Sequence, residues 1–120
     1  MRFEYLDVWK RANNLSLNIY NELKNLKDYA FKDQITRFGL SIPVNIAEGF
    51  ERASYQESTN FLSYAEESCN ELRNQICIGI NIGYINQDIG QKRLKEVDEI
   101  SSILNDLIKT GRNFTQALHP

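Results

Sequence analysis

An all-α fold, an up-down-up-down antiparallel four-helix bundle with a kinked second helix, is what this sequence predicts. Three observations carry the prediction. Apolar residues recur three and four positions apart in four separate runs. The connections between the runs are short, which makes successive helices antiparallel neighbours. Helix-start and helix-stop residues stand at the joints. The 120 residues fit one domain, 1–120, with no internal repeat, low-complexity tract or linker.

The first helix is expected over about 8–26, capped by Asp7. Trp9, Ala12, Ser16, Ile19, Leu23 and Leu26 mark one face, and Lys27 and Asp28 mark the end. The second, about 30–48, carries Phe31, Ile35, Phe38, Ile42 and Ile46. Inside it stands Pro43, which has no N–H to donate and crowds the carbonyl four residues back, that of Gly39. A single kinked helix is the preferred reading, and a break with a new helix starting near Pro43 is the alternative. Gly49 reads as a left-handed stop. Ser54-Tyr55-Gln56-Glu57 fits a capping box and starts the third helix, about 55–82. Its buried face is Leu62, Ala65, Cys69, Leu72, Ile76 and Ile80. Residues 76–85, ICIGINIGYI, place isoleucine at alternate positions as a strand would. With no second strand to pair with it, such a strand would leave its backbone groups unsatisfied, so helix is expected. Asn86 caps the fourth helix, about 87–110, on the face Leu94, Val97, Ile100, Leu104, Leu107 and Ile108, with Gly111 as its end and 111–120 as a flexible tail.

Composition narrows the function. The formal net charge of −2 lowers the expectation of broad nucleic-acid binding, which rests on many Lys and Arg contacts to phosphate. No apolar run reaches the roughly 18 residues of a membrane span, and the charged start MRFEYLDVWKRA lacks a signal peptide's apolar segment; a cytoplasmic location is expected. Cys69 and Cys77, eight residues apart on one helix, are separated by roughly 12 Å, beyond the ~7 Å reach of a disulfide, and read as buried thiols. The one histidine, His119, sits next to the C-terminus. A di-iron carboxylate site needs Glu-x-x-His motifs, a hydrolase triad needs a positioned histidine, and a phosphate-binding loop needs G-x-x-x-x-G-K-[ST]. None is present, so no enzyme, metal or cofactor is expected.

The run Asp7-Val8-Trp9, then Gln34-Ile35 and Arg37, then Ser41-Ile42-Pro43 and Asn45-Ile46-Ala47-Glu48-Gly49, then Arg52 and Ser54, resembles one family. Phe61-Leu62, Ala65, Ser68 and Glu71-Leu72 extend the likeness through the third helix, so that it covers about residues 3 to 110. The chain is similar to the 23S rRNA intervening-sequence proteins, four-helix bundles also counted among the ribosomal proteins. Thr36 and Glu67 depart from that pattern, where Arg and Gly are common. The resemblance implies no established biochemical activity. It implies a homo-oligomer, a pentameric ring being the favoured form, and through the family name it raises RNA as a partner.

Three groups of residues are candidates for function. Arg37, Pro43, Asn45, Glu48, Gly49 and Arg52 gather at the joint of the second and third helices. Glu48 opposes the helix dipole there and needs a cation, with Arg37 and Arg52 at hand. The group reads either as a salt-bridged corner that fixes the turn or as a surface for a protein partner. Tyr64, Ile78, Ile82 and Tyr84 lie off the core stripe of the third helix and read either as a subunit interface or as deep core under the chain's own loops. Lys92, Arg93 and Lys95 form a basic run that reads either as a solvated face or as RNA contacts, repeated in each subunit of a ring.

Overall fold

A computed structural model of the chain describes the backbone over residues 3–118 and the side chains over residues 5–110. Within these limits the chain forms four α-helices, α1 (Phe3–Leu23), α2 (Tyr29–Glu51), α3 (Tyr55–Asn81) and α4 (Gln87–Leu118), and no strand. Each helix packs on its neighbours in sequence and α4 closes on α1, as up-down-up-down connection by short loops requires.

The core follows from the period of each helix. Tyr5, Val8, Ala12, Leu15, Ile19 and Leu23 of α1 meet Ile35, Ile42 and Ile46 of α2, Leu62, Ala65, Cys69, Leu72 and Ile76 of α3, and Leu94, Val97, Ile100, Leu104 and Ile108 of α4. Trp9, Leu26, Phe31, Phe38, Ile80 and Leu107 pack on its margin. Fully burying a branched aliphatic side chain contributes roughly 1.5–3 kcal/mol, so this core dominates the stability. Val8 and Leu15 belong to it although the spacing drawn from Trp9 passes over them.

Several helix ends differ from the expectation. Asp7 lies inside α1, which starts at Phe3 and ends at Leu23; Asp28 instead caps α2, its Oδ1 accepting from the N–H of Phe31 at 3.1 Å. Gly49 is not a stop. It is buried within α2, which runs on to Glu51, and the one glycine with positive φ among the described residues is Gly83. Gly49 serves close approach: a Cβ there would meet the Ser58 carbonyl oxygen at 3.1 Å and the Phe61 Cβ at 3.2 Å. Pro43 stands inside a single continuous α2, with Gly39 packed on Ser16 of α1. One helix forms rather than two, because losing a single backbone hydrogen bond is outweighed by the buried stripe Ile35, Ile42 and Ile46 on either side of it.

The joints behave as their residues dictate. Ser54 Oγ accepts from the N–H of Glu57 at 3.1 Å and starts α3. The strand-like stretch stays helical to Asn81; Gly83 then turns the chain at φ +85°, and the N–H groups of Tyr84 and Ile85 close on the Gly79 carbonyl at 2.8 and 3.0 Å. Asn86 Oδ1 accepts from the N–H groups of Asp88 and Ile89 at 2.9 and 3.2 Å, which starts α4. α4 runs through Gly111 to Leu118, past the expected end. A glycine within a helix is unfavourable by only about 1 kcal/mol, and no proline follows before Pro120. His119 lies outside the described residues.

Candidate functional site

The seam between α2 and α3 holds a chain of polar groups in an otherwise apolar contact. Ser68 Oγ donates to the Tyr64 carbonyl at 3.1 Å, which uses its proton, so Ser41 donates to Ser68 across 2.8 Å. Asn45 Nδ2 then donates to Ser41 Oγ at 3.0 Å and to the Ser41 carbonyl at 2.9 Å. Asn45 is thereby committed within the fold. At the end of the seam the Arg52 guanidinium pairs with the Glu48 carboxylate one turn away and lies 4.7 Å from the centre of the Phe61 ring. Arg52, not Arg37, meets the charge of Glu48. The structure brings Asn45, Glu48, Gly49 and Arg52 together along this seam, buries Pro43 within α2 without placing it in the seam, and sets Arg37 apart on the exposed α1–α2 side.

The apolar candidates divide. Tyr64, Ile78 and Ile82 are exposed, by 48%, 46% and 52%. They share the edge of α3 that faces α2, where Gln75 donates to Gln34 at 3.1 Å. Ile78 and Ile82 are one turn apart, whereas Tyr64 lies 14 residues earlier, roughly 21 Å along the helix. Tyr84 belongs to no exposed face: it is half-buried, edge-on to Phe31 at 5.2 Å, and its hydroxyl donates to Asp28 Oδ2 at 2.8 Å. The Gly83 turn folds it back over the bundle end. Two further exposed residues, Leu40 and Val44, occupy the outer face of α2. The contacts of Ser41 with Ser68 place them at the level of the first half of α3, between Tyr64 and Ile78. Their offset from the stripe Ile35, Ile42 and Ile46 was the signal for them in the sequence.

The basic run is also divided. Lys92 and Lys95 are exposed, but Arg93 is 9% exposed and clamped between two carboxylates. Its Nε donates to both oxygens of Glu22 at 3.0 and 3.2 Å, its second terminal nitrogen also pairs with Glu22, and Nη1 reaches Glu96 at 2.8 Å. The Glu22 hydrogen bond, with the two negative charges, raises the affinity of this guanidinium for its proton above the already high arginine value. Arg93 thus spends its guanidinium on Glu22 and Glu96 within the fold. The reason is its register: it stands four residues before Val97 on the stripe Val97, Ile100 and Leu104, so it turns inward towards α1. Arg11 with Glu99 and Arg73 with Asp98, the latter at 3.0 Å, complete a set of ion pairs that tie α4 to α1 and α3.

Among the described residues no helix is long and apolar enough to cross a membrane, and no group of three or more His, Cys, Asp or Glu is placed to hold a metal ion. Both cysteines are free. Burial pushes the Cys69 thiol up to about 12, with the charges of Glu66 and Asp98 adding to the effect, which makes it a core residue rather than a nucleophile. Cys77 is half-buried, not buried, beneath the Arg73 guanidinium at 3.8 Å.

A search of curated proteins finds no match. Among solved structures, the chain is similar to a protein of unknown function from the S23 ribosomal protein family of Bacteroides thetaiotaomicron, at 25% identity and a TM-score of 0.82, over 89% of this chain and 99% of that one. The sequence model of the 23S rRNA-intervening sequence proteins matches residues 4–106, a span that begins in α1 and ends in α4. With the polar seam Ser41–Asn45–Ser68 lying inside that span, the chain belongs to the 23S rRNA-intervening sequence protein family.

Proposed function

We propose that the chain is a non-catalytic module of the cytoplasm that assembles with copies of itself, in the ring of five that the family resemblance implies, and offers the repeated surfaces of that ring to another protein. The observation that supports this reading is the asymmetry of the bundle. Among the described residues the interhelical ion pairs all involve α4, whereas seven of the nine exposed large hydrophobic side chains stand on α1, α2 or α3 and an eighth, Ile82, directly follows α3. Monomers seldom leave extended apolar surface in water; Leu40 and Val44 on the outer face of α2 and Tyr64, Ile78 and Ile82 along the α3 edge are the exposed apolar side chains available for such a contact.

Sedimentation of the wild type beside Leu40→Glu/Val44→Glu tests this. Both positions are exposed, so the fold should survive. A multi-chain wild type that falls to single chains in the variant is the expected result; a variant that sediments like the wild type removes this face from the assembly. The rival reading, RNA bound along the start of α4, is left with Lys92 and Lys95 alone.

A further inference from the structure

We propose that the groove between the end of α1 and the start of α2 is a site for single-stranded nucleic acid, held by Lys24, Lys32 and Arg37 on its phosphates and by Tyr20 and Tyr29 on its bases. This goes beyond the assembly reading, with whose face the groove shares Leu40. The groove has a volume of about 380 Å³ and is lined by Tyr20, Lys24, Lys32, Asp33, Thr36, Arg37 and Leu40.

Its cations differ from the others in the chain. Arg11, Arg52, Arg73 and Arg93 each hold a carboxylate, whereas Arg37, the remaining arginine among the described side chains, makes no ion pair. Lys24 and Lys32 make none either. Lys32 is nevertheless fixed in place, its Nζ donating to the Lys24 carbonyl at 3.4 Å and lying 4.7 Å from the centre of the Tyr29 ring. Of the nearby acids, Asp33 lines the groove, and Asp28 stands at the start of α2 with its carboxylate turned to the Tyr84 hydroxyl and the N–H of Phe31, so three cations face two acids. A chain of net charge −2 therefore carries a groove lined by three cations and one acid.

The aromatic residues decide the ligand class. Tyr20 and Tyr29 are exposed by 55% and 66%, and both flank the cations. Exposed rings beside unpaired Lys and Arg match the two requirements of single-strand binding, stacking platforms for bases and charge for phosphates.

The test is fluorescence anisotropy of the purified protein with labelled oligo-uridine and oligo-thymidine of about 12 nucleotides, from about 50 to about 200 mM KCl. Three phosphate contacts predict a slope of log affinity on log salt of roughly −2, an affinity loss of more than about tenfold over that range. Lys24→Glu/Lys32→Glu/Arg37→Glu should abolish binding, and Lys92→Glu/Lys95→Glu should leave it in place. Tyr20→Ala/Tyr29→Ala should weaken it by about tenfold or more at an unchanged salt slope. Binding of either oligonucleotide with this pattern supports the site, and a preference between the two shows whether the ribose is read. The proposal is overturned by no binding at low salt, by retained binding in the triple variant, or by an unaffected tyrosine variant. Equal capture of polyglutamate would overturn it too, since charge alone would then be read. The mass of each variant is followed by light scattering. A mass that drops in the groove variants would place a second copy of the chain there instead of nucleic acid, whereas failure of the assembly reading would appear in the wild-type mass alone.

Discussion

Gly49 of α2 packs so closely on Ser58 of α3 that a Cβ added to it would lie 3.1 Å from the Ser58 backbone carbonyl oxygen. The contact is backbone against backbone, with little freedom to yield, and the Phe61 Cβ closes it from the side at 3.2 Å. Alanine is the better helix former by about 1 kcal/mol, but overpacking typically destabilises by about 1–3 kcal/mol. Gly49→Ala is therefore expected to lower the stability by about 1 kcal/mol in urea denaturation. A gain in stability would show that the two helices can part without loss.

The burial of Arg93 sets it apart from Arg73. Removing one partner of a buried pair leaves uncompensated charge and is destabilising by about 3–5 kcal/mol; an exposed pair is worth about 0.2–1 kcal/mol. Arg93→Ala, which strands Glu22 and Glu96 together, should destabilise by about 3 kcal/mol, towards the low end of the buried range because the carboxylates keep some contact with water. Arg73→Ala, losing its exposed pair with Asp98, should remain under about 1 kcal/mol. Equal effects in calorimetry would contradict the difference in burial.

Acid should weaken the α1–α2 turn through Asp28. The hydroxyl of Tyr84 and the N–H of Phe31 hold its carboxyl below the ordinary value of 3.8. A depressed folded value contributes stability that is fully present above the unfolded value and is lost as the pH falls through the folded one. The stability difference between the wild type and Asp28→Asn should be constant from neutral pH down to about pH 5 and shrink below about pH 4. A difference that stays constant into acid would show that the carboxylate charge plays no part.

Ile78→Glu and Ile82→Glu are expected to dissociate the proposed assembly with little effect on the fold of a single chain, since substitutions at exposed positions usually stay within about 0.5 kcal/mol. Circular dichroism and sedimentation check the two halves of this statement. A variant that stays assembled and equally stable would exclude the end of α3 from the interface.

How much of this was legible beforehand depends on the kind of signal. Periodicity reached the four helices and most of the core, because a three-four spacing has one physical meaning over a long run. The caps at Ser54 and Asn86 were legible because their side chains act within three residues. Gly49 was misread because a glycine that ends a helix and a glycine that lets two helices approach are the same in one dimension; the difference lies in Ser58, on another helix. Arg93 was grouped with Lys92 and Lys95 by sequence proximity, although its position relative to Val97 turns it inward. The groove of Tyr20, Lys24, Lys32 and Arg37 spans two helices, and no linear motif joins its members.

Light scattering of the purified wild-type protein tests the central claim, self-assembly through the apolar side of the bundle, most directly. One chain is 14.0 kDa. A mass of several chains, near 70 kDa for the five-membered ring (five times 14.0 kDa), is the predicted result. A mass of 14.0 kDa that persists as the protein is concentrated would contradict it, and would leave Leu40, Val44, Ile78 and Ile82 as surface without a partner copy.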